Sequence, residues 1–233
     1  MFLTGHQLAW GPLRSMNVTF ADVQSVVTTN DKQRFSLKPN PATNPTLSTD
    51  SASPADYLIR ANQGHSIKIE SSSLLEPVGP EHGNVPPTVL HGTYFAFWPA
   101  IVASGGLKPM GRNHVHCSTG TPEDGDAVVS GMRRDAELLV EIDLERSVTE
   151  GGVKWWRSEN GVLLTEGDEL GVLSSRFFRK VTGRREDVGV LFEDGLEVGE
   201  LPAGLKARPP PGKGPRGGGR GRGRGGRGGR GGR

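Results

Sequence analysis

The histidines of two short motifs, at residues 91–93 and 114–116, are of a type that can do chemistry. In the first, His91-Gly92-Thr93, the imidazole can donate a hydrogen bond to a hydroxyl or an amide, and the glycine lets the backbone approach a ligand closely. Taken alone, the motif fits better a histidine that caps the helix expected near Tyr94. It therefore predicts a ligand contact only together with signals elsewhere in the chain.

The second motif, His114-Val115-His116, places two imidazoles on the same side of a strand, because side chains two residues apart share a face. Two such histidines could bind zinc, but no third or fourth ligand with suitable spacing lies nearby. The single cysteine, Cys117, also excludes an internal disulfide and a cysteine-based zinc cluster, and it fits a reducing compartment. We therefore expect no metal.

Two arginines, Arg60 and Arg133, carry the side chain best suited to holding dense negative charge. A planar guanidinium makes bidentate, permanently charged contacts with phosphate that lysine cannot reproduce. Either residue could be an ordinary surface arginine, although the apolar neighbours of Arg60 in the segment LIRANQGHS argue against that for Arg60. The two arginines are thus candidate phosphate contacts.

The elements that must position these residues begin with a helix. Thr19 is a predicted N-cap, Asp22 stands in a capping-box position, and Asn30 is the predicted end. Residues 34–37 and 67–69 are predicted strands, joined by an excursion whose residues 39–56 are rich in Pro, Ser, Thr and Asn and predict disorder. A helix followed by a hairpin is half of a winged-helix unit.

The second half of the chain alternates short helices with strands. Trp98, Ile101 and Val102 have one-face helical spacing, and Gly105-Gly106 should stop that helix. Residues 137–145 alternate as a half-buried strand, and Asn160-Gly161 is the best short hairpin signal. The sequence therefore predicts an α+β class with a split, mostly antiparallel sheet.

The charge of the chain is strongly asymmetric. Of 233 residues, 33% are hydrophobic and the net charge is +2. Residues 206–233 hold 2 Lys and 8 Arg and no acid, so the preceding 205 residues carry 18 basic against 26 acidic side chains, a net charge of −8. The Arg-Gly repeat cannot bury a core and predicts a disordered tail that binds RNA without sequence specificity. No apolar run is long enough to span a membrane.

In their order along the chain, several segments resemble the NAD-dependent tRNA 2′-phosphotransferase family, a branch of the ADP-ribosyltransferase fold. No single segment is specific, but the ordered set is. The segments are TFADVQSVVTTNDKQRFSL (19–37), LIRANQGHSIKI (58–69), HGTYFAFWPAIVASGGLKPMGRNHVH (91–116), SGMRRD (130–135) and WWRSENGVLLTEG (155–167).

The resemblance implies a domain plan. A partial winged-helix, RNA-binding lobe would occupy residues 1–70, with the disordered insertion at 39–56. A linker at 71–85 would lead to an NAD-binding, ADP-ribosyltransferase-like lobe at 86–184. A C-terminal extension at 185–205 and the disordered Arg-Gly-rich tail at 206–233 would follow.

The resemblance also implies residue roles. Arg60 and Arg133 would be catalytic, and NAD would be a co-substrate, with no metal. The residues implied at NAD are His91, Gly92, Thr93, His114, His116, Ser130, Asn160 and Val162, although which of the two histidines of the second motif touches NAD stays open. The residues implied or expected at RNA are Gln63, Gly64, His65, Arg220, Arg222 and Arg224.

The implied reaction removes an internal RNA 2′-phosphate at a tRNA splice junction and transfers it to NAD. Related ADP-ribosyltransferases often carry a glutamate near Val162 to activate the acceptor, and Glu159 is off that position; a phosphate needs no such base. The family's N-terminal Leu-Arg-His motif has no counterpart in residues 1–18, so we expect a chain truncated at its start that turns over poorly.

Two other functions fit the same residues. One is an RNA- or NAD-binding module with little turnover, and the other is an ADP-ribosyltransferase that caps terminal phosphates of nucleic acids. We expect a monomer in the cytoplasm or nucleus, with NAD and a tRNA carrying an internal 2′-phosphate as its partners and with no membrane attachment.

Overall fold

The protein has an α+β fold in which all strand pairs among the described residues are antiparallel. The structure is a computed structural model that describes residues 3–4, 16–64, 71–124 and 131–207. The predicted class and the mostly antiparallel pairing are confirmed. None of the helices within these ranges is long and apolar enough to cross a membrane.

The N-terminal part consists of one helix and a three-stranded sheet. Helix α1, Phe20–Thr29, begins at the predicted capping box and ends at the predicted Asn30. The sheet has the order β1-β3-β2, and its strands are β1 Leu3–Thr4, β2 Phe35–Pro39 and β3 Tyr57–Ala61. The helix packs on this sheet through Phe20, whose ring lies 5.1 Å from that of Tyr57.

The partner of β2 differs from the prediction. The predicted strand at 67–69 lies outside the described residues, whereas β3 pairs with β2 and places Ser36 opposite Arg60. Arg60 therefore lies on the central strand of the sheet, in a segment for which the sequence predicted no strand. A strand fixes the direction of its side chains, so Arg60 points to a defined face of the sheet.

The connection from β2 to β3 is held by side-chain amides. Asn40 and Asn44 are buried, and Asn44 donates to the carbonyl oxygen of Ser48 at 2.7 Å. Such local side-chain bonds replace the hydrogen bonds of regular structure. Residues 40–56 accordingly show turns and a 3₁₀ helix, Pro54–Asp56, where composition predicted a disordered insertion.

A four-stranded sheet has the order β4-β9-β10-β7, with the strands β4 Glu76–Val78, β7 Val115–Cys117, β9 Trp155–Arg157 and β10 Leu163–Thr165. The predicted hairpin at Asn160-Gly161 is confirmed, since β9 pairs with β10 and Gly161 has φ 79°. Strand β4 lies within the predicted linker 71–85, so that segment contributes a strand to this sheet.

A five-stranded sheet has the order β14-β13-β12-β8-β5. Its strands are β5 Leu90–Thr93, β8 Leu138–Ile142, β12 Phe178–Gly183, β13 Val190–Glu193 and β14 Leu196–Glu197. The predicted alternation in β8 is confirmed by its buried residues Leu138, Val140 and Ile142. The strand ends earlier than predicted, because Asp143 accepts a hydrogen bond from Arg146 N and caps helix α3, Leu144–Thr149.

The core of the protein includes side chains from both larger sheets. Trp98, at the start of helix α2 (Trp98–Ala103), meets Phe192 edge to face at 5.6 Å, and Cys117 is only 1% exposed. The short pair β6 Gly106–Leu107 and β11 Leu173–Ser174 completes the strands. Because Phe192 lies in the expected extension 185–205, that segment is part of the sheet rather than an appendage.

Candidate functional site

Arg60 lies beside a cleft between the N-terminal sheet and the turn that joins β9 to β10, bonded to the lining residue Glu159. Its side chain is 11% exposed, and its Nη2 donates to Glu159 Oε2 at 2.6 Å. The cleft measures about 390 Å³. Its lining residues are Gln33, Phe35, Ser36, Asn62, Thr119, Glu159, Asn160 and Gly161.

Three side chains of the N-terminal sheet hold the Glu159 carboxylate. Besides Arg60, Ser36 donates from Oγ at 2.7 Å, and Lys38 Nζ lies 3.4 Å from Oε1. The hydrogen bond from Arg60, followed by that from Ser36, lowers the pKa of Glu159 to about 2. These three residues therefore form an anion-binding site on one sheet, and a carboxylate from the other side of the cleft fills it.

The turn that carries Glu159 is rigid. The side chain of Asn160 is buried, donates to the carbonyl oxygen of Lys32 at 2.7 Å and accepts from Ser158 Oγ at 2.8 Å. Val162 is 0% exposed, and its N–H and carbonyl are both bonded to Ser158. Val162, predicted at NAD, is thus placed as a packing residue, whereas Asn160 borders the cleft.

Lys32 joins the cleft to the loop that carries Arg133. Its Nζ donates to the carbonyl oxygen of Met132 at 3.0 Å, while its own carbonyl accepts from Asn160. Burial, followed by the charges of Arg34 and Arg134, lowers the pKa of Lys32. The segment next to Arg133 and the turn beside Arg60 are therefore both fixed to one residue.

Arg133 itself is exposed and lies near Tyr94. Tyr94 donates its hydroxyl to Asp135 Oδ1 at 2.9 Å. Burial and this hydrogen bond raise the pKa of Tyr94, and the guanidinium of Arg133 acts in the opposite direction. Ser130, predicted at NAD, lies outside the described residues.

A buried guanidinium fixes the backbone around Arg133. Arg184 has a side chain only 3% exposed, and its Nη1 donates to the carbonyl oxygens of Arg134 at 2.8 Å, Ala136 at 3.3 Å and Arg133 at 3.4 Å. Its Nη2 and Nε bind Glu123. Arg184 thereby ties the chain before residues 125–130 to the chain after them.

The His91-Gly92-Thr93 motif forms β5, next to β7 of the second histidine motif. His91 Nδ1 donates to the carbonyl oxygen of His116 at 2.9 Å, which sets the tautomer of its ring. Gly92 lies where a side chain would meet Met132, since an added Cβ would be 2.8 Å from Met132 Sδ and closer still to Cγ. The glycine therefore admits the Arg133 loop, a reason not foreseen from the sequence, and Thr93 is buried.

The two histidines of the second motif have different surroundings. His114 is buried, with Nε2 2.8 Å from Ser71 Oγ and 3.4 Å from Glu166 Oε1. His116 donates from Nδ1 to the carbonyl oxygen of His114 at 3.0 Å. Burial, then the charge of Arg112, lowers the pKa of His116 to about 4, so its ring is neutral at pH 7 with Nε2 as an acceptor.

Gln63 and Gly64 bring the end of β3 to these residues. A Cβ on Gly64 would lie 3.9 Å from His116 Nε2 and 3.9 Å from Arg112 Cζ, and Gln63 Oε1 lies 3.4 Å from Ser158 Oγ. His65 lies outside the described residues, as do Arg220, Arg222 and Arg224 of the tail. Among the residues that are described, no cluster of three or more His, Cys, Asp or Glu could hold a metal ion.

Sequence reasoning missed several residues at this site. Ser36 and Lys38 contact the carboxylate because β2 pairs with β3, and that register has no local signature. Lys32 and Arg184 act through backbone carbonyls of distant segments. The only available signal was the Asn160-Gly161 turn, which placed Glu159 at a hairpin end.

A largely buried arginine bonded to a residue of the cleft, together with two oriented histidines on neighbouring strands, makes a candidate anion- and nucleotide-binding site. Comparison with known proteins identifies the family of the chain. Residues 4–167 match the model of the RNA 2′-phosphotransferase, Tpt1 / KptA family, and the chain belongs to this family of enzymes.

Curated relatives named as tRNA 2′-phosphotransferases are similar over most of the chain. The tRNA 2′-phosphotransferase 1 of Danio rerio is 40% identical over 174 residues, 74% of this chain and 69% of that protein. The protein of the same name in Homo sapiens is 39% identical over 160 residues, 68% of this chain and 56% of its own length. The tRNA 2′-phosphotransferase of Saccharomyces cerevisiae is 35% identical over 160 residues, 68% of this chain and 64% of its own length.

Proposed function

We propose that this chain transfers an internal 2′-phosphate from tRNA to NAD, as the names of its relatives suggest. The observation that carries the proposal is the anion site at Arg60. It is a largely buried guanidinium, bonded at 2.6 Å to a carboxylate that lines the cleft. A phosphate offers that guanidinium anionic oxygen acceptors of the same kind, with a larger charge.

The proposed reaction has two steps. An oxygen of the RNA 2′-phosphate attacks the anomeric carbon of the NAD ribose, and the bond from that carbon to nicotinamide breaks. The neighbouring ribose 2″-hydroxyl then attacks phosphorus and loses its proton, and the RNA 2′-oxygen leaves and becomes a hydroxyl. The products are nicotinamide, 2′-OH RNA and ADP-ribose 1″,2″-cyclic phosphate. The charge on phosphorus oxygens persists through both steps, so fixed guanidinium groups stabilise each transition state.

We assign the two arginines to that charge. Arg60 is fixed by its strand and is largely withdrawn from solvent, which strengthens its interaction with an anion. Arg133 is held by its loop, which Arg184 and Lys32 fix to the two sides of the site. No proton has to be removed from the attacking phosphate, so the first step requires no general base beside Val162.

The histidines are assigned to NAD. His91 has its Nδ1 proton directed at a backbone carbonyl, so Nε2 is the acceptor nitrogen of its ring, and we assign to it a contact with a ribose hydroxyl or an amide. Of the two histidines of the second motif, His116 is the better candidate. It lies against Gly64 in the interior between the sheets, whereas His114 is bonded to Ser71 and near Glu166.

The remaining assignments belong to the same proposal. The N-terminal helix and sheet would be a partial winged-helix lobe, and the two larger sheets an ADP-ribosyltransferase-like lobe. The Arg-Gly tail, with its charge of +10, would add salt-dependent affinity for RNA. We propose a monomer that acts in the cytoplasm or nucleus without a metal.

The test is an assay of the wild-type chain with NAD and an oligonucleotide that carries one internal 2′-phosphate. The ADP-ribosylated intermediate and the cyclic product are followed separately. Arg60→Lys should lower kcat/KM by at least about 100-fold, since the fork geometry is lost. Arg146→Lys, at a surface position of helix α3, is the control and should be neutral. Modification of a terminal phosphate with no reaction at the internal one would contradict the proposal.

A further inference from the structure

Two segments of the chain that carry basic side chains meet beside the cleft. Lys32 and Arg34 lie on the first segment, on either side of Gln33, which lines the cleft, and Arg134 lies on the second. Lys32 Nζ donates to the carbonyl oxygen of Met132 at 3.0 Å and so holds the two segments together. We call Lys32, Arg34 and Arg134 the basic patch.

The cations of the basic patch lie close enough to repel one another. Burial, followed by the charges of Arg34 and Arg134, lowers the pKa of Lys32. In the part of the chain that the structure describes, the two arginines are exposed and neither forms an ion pair. Of the acids on the same segments, Asp31 and Asp135, the second already accepts a hydrogen bond from a tyrosine hydroxyl. Repulsion between like charges costs folding free energy, so the stability of the fold does not explain the patch.

The basic patch also differs in sign from the rest of the body. The first 205 residues carry a net charge of −8, so most of their surface repels a polyanion. A strand of nucleic acid that approaches this body is therefore attracted at a local cluster of cations. The Arg-Gly tail can raise its local concentration, but only a patch on the folded part can set its position.

The register of the N-terminal sheet places Arg34 near Arg60. Ser36 lies opposite Arg60, and Arg34, two residues before Ser36, accepts at its carbonyl oxygen from Asn62 N at 2.9 Å. Residues two apart on a strand share a face, and diagonal neighbours on paired strands lie about 7–8 Å apart. Arg34 and Arg60 are therefore diagonal neighbours on one face of the sheet, and Asn62, between them in register, lines the cleft.

We infer that the basic patch binds backbone phosphodiesters of the RNA that flank the nucleotide bearing the 2′-phosphate. The inference rests on the proposed function, which assigns the 2′-phosphate to Arg60. A strand held there brings its neighbouring phosphodiesters to Arg34 and Arg134. Contacts to backbone phosphates position a strand but carry no base information, so the patch acts on every RNA sequence alike.

The test measures binding of RNA to the full chain without NAD, by fluorescence anisotropy at several salt concentrations. The probe is a strand of about ten nucleotides with one internal 2′-phosphate. Each phosphate contact on a single strand adds about 0.7 to the slope of log affinity against log salt. Arg34→Gln/Arg134→Gln should therefore reduce the slope by about 1.4 and weaken binding at the lowest salt about tenfold. An unchanged slope would overturn the inference.

Arg146→Gln/Arg179→Gln removes the same charge from half-exposed positions on α3 and β12 and is the matched control. It should leave the slope nearly unchanged, and an equal reduction in this control would show a general effect of net charge and overturn the inference. Thermal unfolding should find Arg34→Gln/Arg134→Gln at least as stable as the wild type, because its loss removes repulsion. Weaker RNA binding in this variant then does not come from unfolding.

A second strand tests the position of the patch. In this strand uncharged methylphosphonates replace the backbone linkages on either side of the 2′-phosphorylated nucleotide. The wild type should bind it more weakly than the first strand, and Arg34→Gln/Arg134→Gln should lose less by the exchange. Equal losses would overturn the inference. A labelled polyglutamate peptide tests another class of partner, and a variant that loses affinity for the peptide alone would show a protein-binding surface instead.

Turnover by the wild-type chain separates this inference from the proposed function. A reduced slope in Arg34→Gln/Arg134→Gln, with no cyclic product from wild type and NAD, would support the basic patch as an RNA surface and refute the 2′-phosphotransferase activity. Cyclic product from wild type, with an unchanged slope in the variant, would support the activity and refute the role of the patch.

Discussion

Asn160 donates its side-chain amide to the carbonyl oxygen of Lys32 at 2.7 Å and so joins the β9–β10 turn to the N-terminal part of the protein. The same lysine donates Nζ to the carbonyl oxygen of Met132, next to Arg133. Three segments that the sequence keeps far apart thus meet at Lys32. The width of the cleft and the position of the Arg133 loop are therefore coupled.

Asn160→Ala should widen the cleft as well as weaken the fold. The loss leaves the Lys32 carbonyl without its side-chain donor, which costs about 1–3 kcal/mol in the free energy of unfolding. Asn84→Ala is the matched control, because Asn84 also bonds two backbone groups, Gly79 N–H and the Pro77 carbonyl, on β4 outside the cleft. Urea unfolding should show similar losses for both variants, and kcat/KM for RNA should fall only in Asn160→Ala. Equal activity losses would contradict this coupling.

Gly92→Ala should destabilise the protein through Met132. An added Cβ would overlap the Met132 side chain and lie 2.9 Å from Ala136 Cβ, and overpacking of this kind costs about 1–3 kcal/mol. Gly92→Ala should therefore cost less stability when it is made in the Met132→Ala variant than when it is made in the wild type. Gly111→Ala is the control, because nothing lies within 4 Å of its added Cβ. Thermal unfolding measures the stability of each variant. If the loss in the double variant equals the sum of the losses in the two single variants, the contact between the added Cβ and Met132 is refuted.

Arg184→Lys should impair catalysis through the Arg133 loop. Lysine keeps the charge but cannot bond Glu123 and three carbonyl oxygens at once. We expect kcat to fall about tenfold or more, with KM for NAD changed less, because the loss concerns the position of Arg133. Arg185→Lys is the control, since Arg185 bonds the same loop from an exposed position. Steady-state kinetics with NAD and RNA as varied substrates would measure kcat and each KM. An unchanged kcat would show that Arg184 does not position Arg133.

His116 should make the fold sensitive to mild acid. Its folded pKa of about 4 lies below the ordinary 6.5, so the unfolded chain binds the proton first, and stability falls as the pH drops from 6.5 towards 4. The free energy of unfolding should fall by about 2 kcal/mol between pH 7 and pH 5 because of His116. His116→Asn should lose correspondingly less over this range, and exposed His82→Asn should behave as wild type. Glu159 contributes little to this pH dependence of stability, because its pKa is lowered from 4.5 and the stabilisation it provides is lost only as the pH falls below 4.5. Parallel unfolding curves for wild type and His116→Asn would contradict the prediction.

Local signals predicted local structure well. The capping box of Thr19 and Asp22, the alternation in β8 and the hairpin at Asn160-Gly161 all depend on residues a few positions apart, and all three are confirmed. The β2–β3 register and the place of β4 and β13 depend on partners far along the chain, and the sequence pattern does not encode them. For the same reason the sequence identified Arg60 as a phosphate contact but not Glu159 as its partner.

Because Cys117 is buried, the reactivity of its thiol reports local opening of the sheet around β7. It is the chain's single thiol, lies on β7 beside the histidine motif and is almost wholly withdrawn from solvent. Burial raises the pKa of this thiol far above its ordinary value, so the reactive thiolate is scarce in the folded protein. A thiol reagent should therefore modify the chain only when β7 separates from its neighbours. The rate of that modification, with and without NAD, would measure how firmly a ligand closes this sheet.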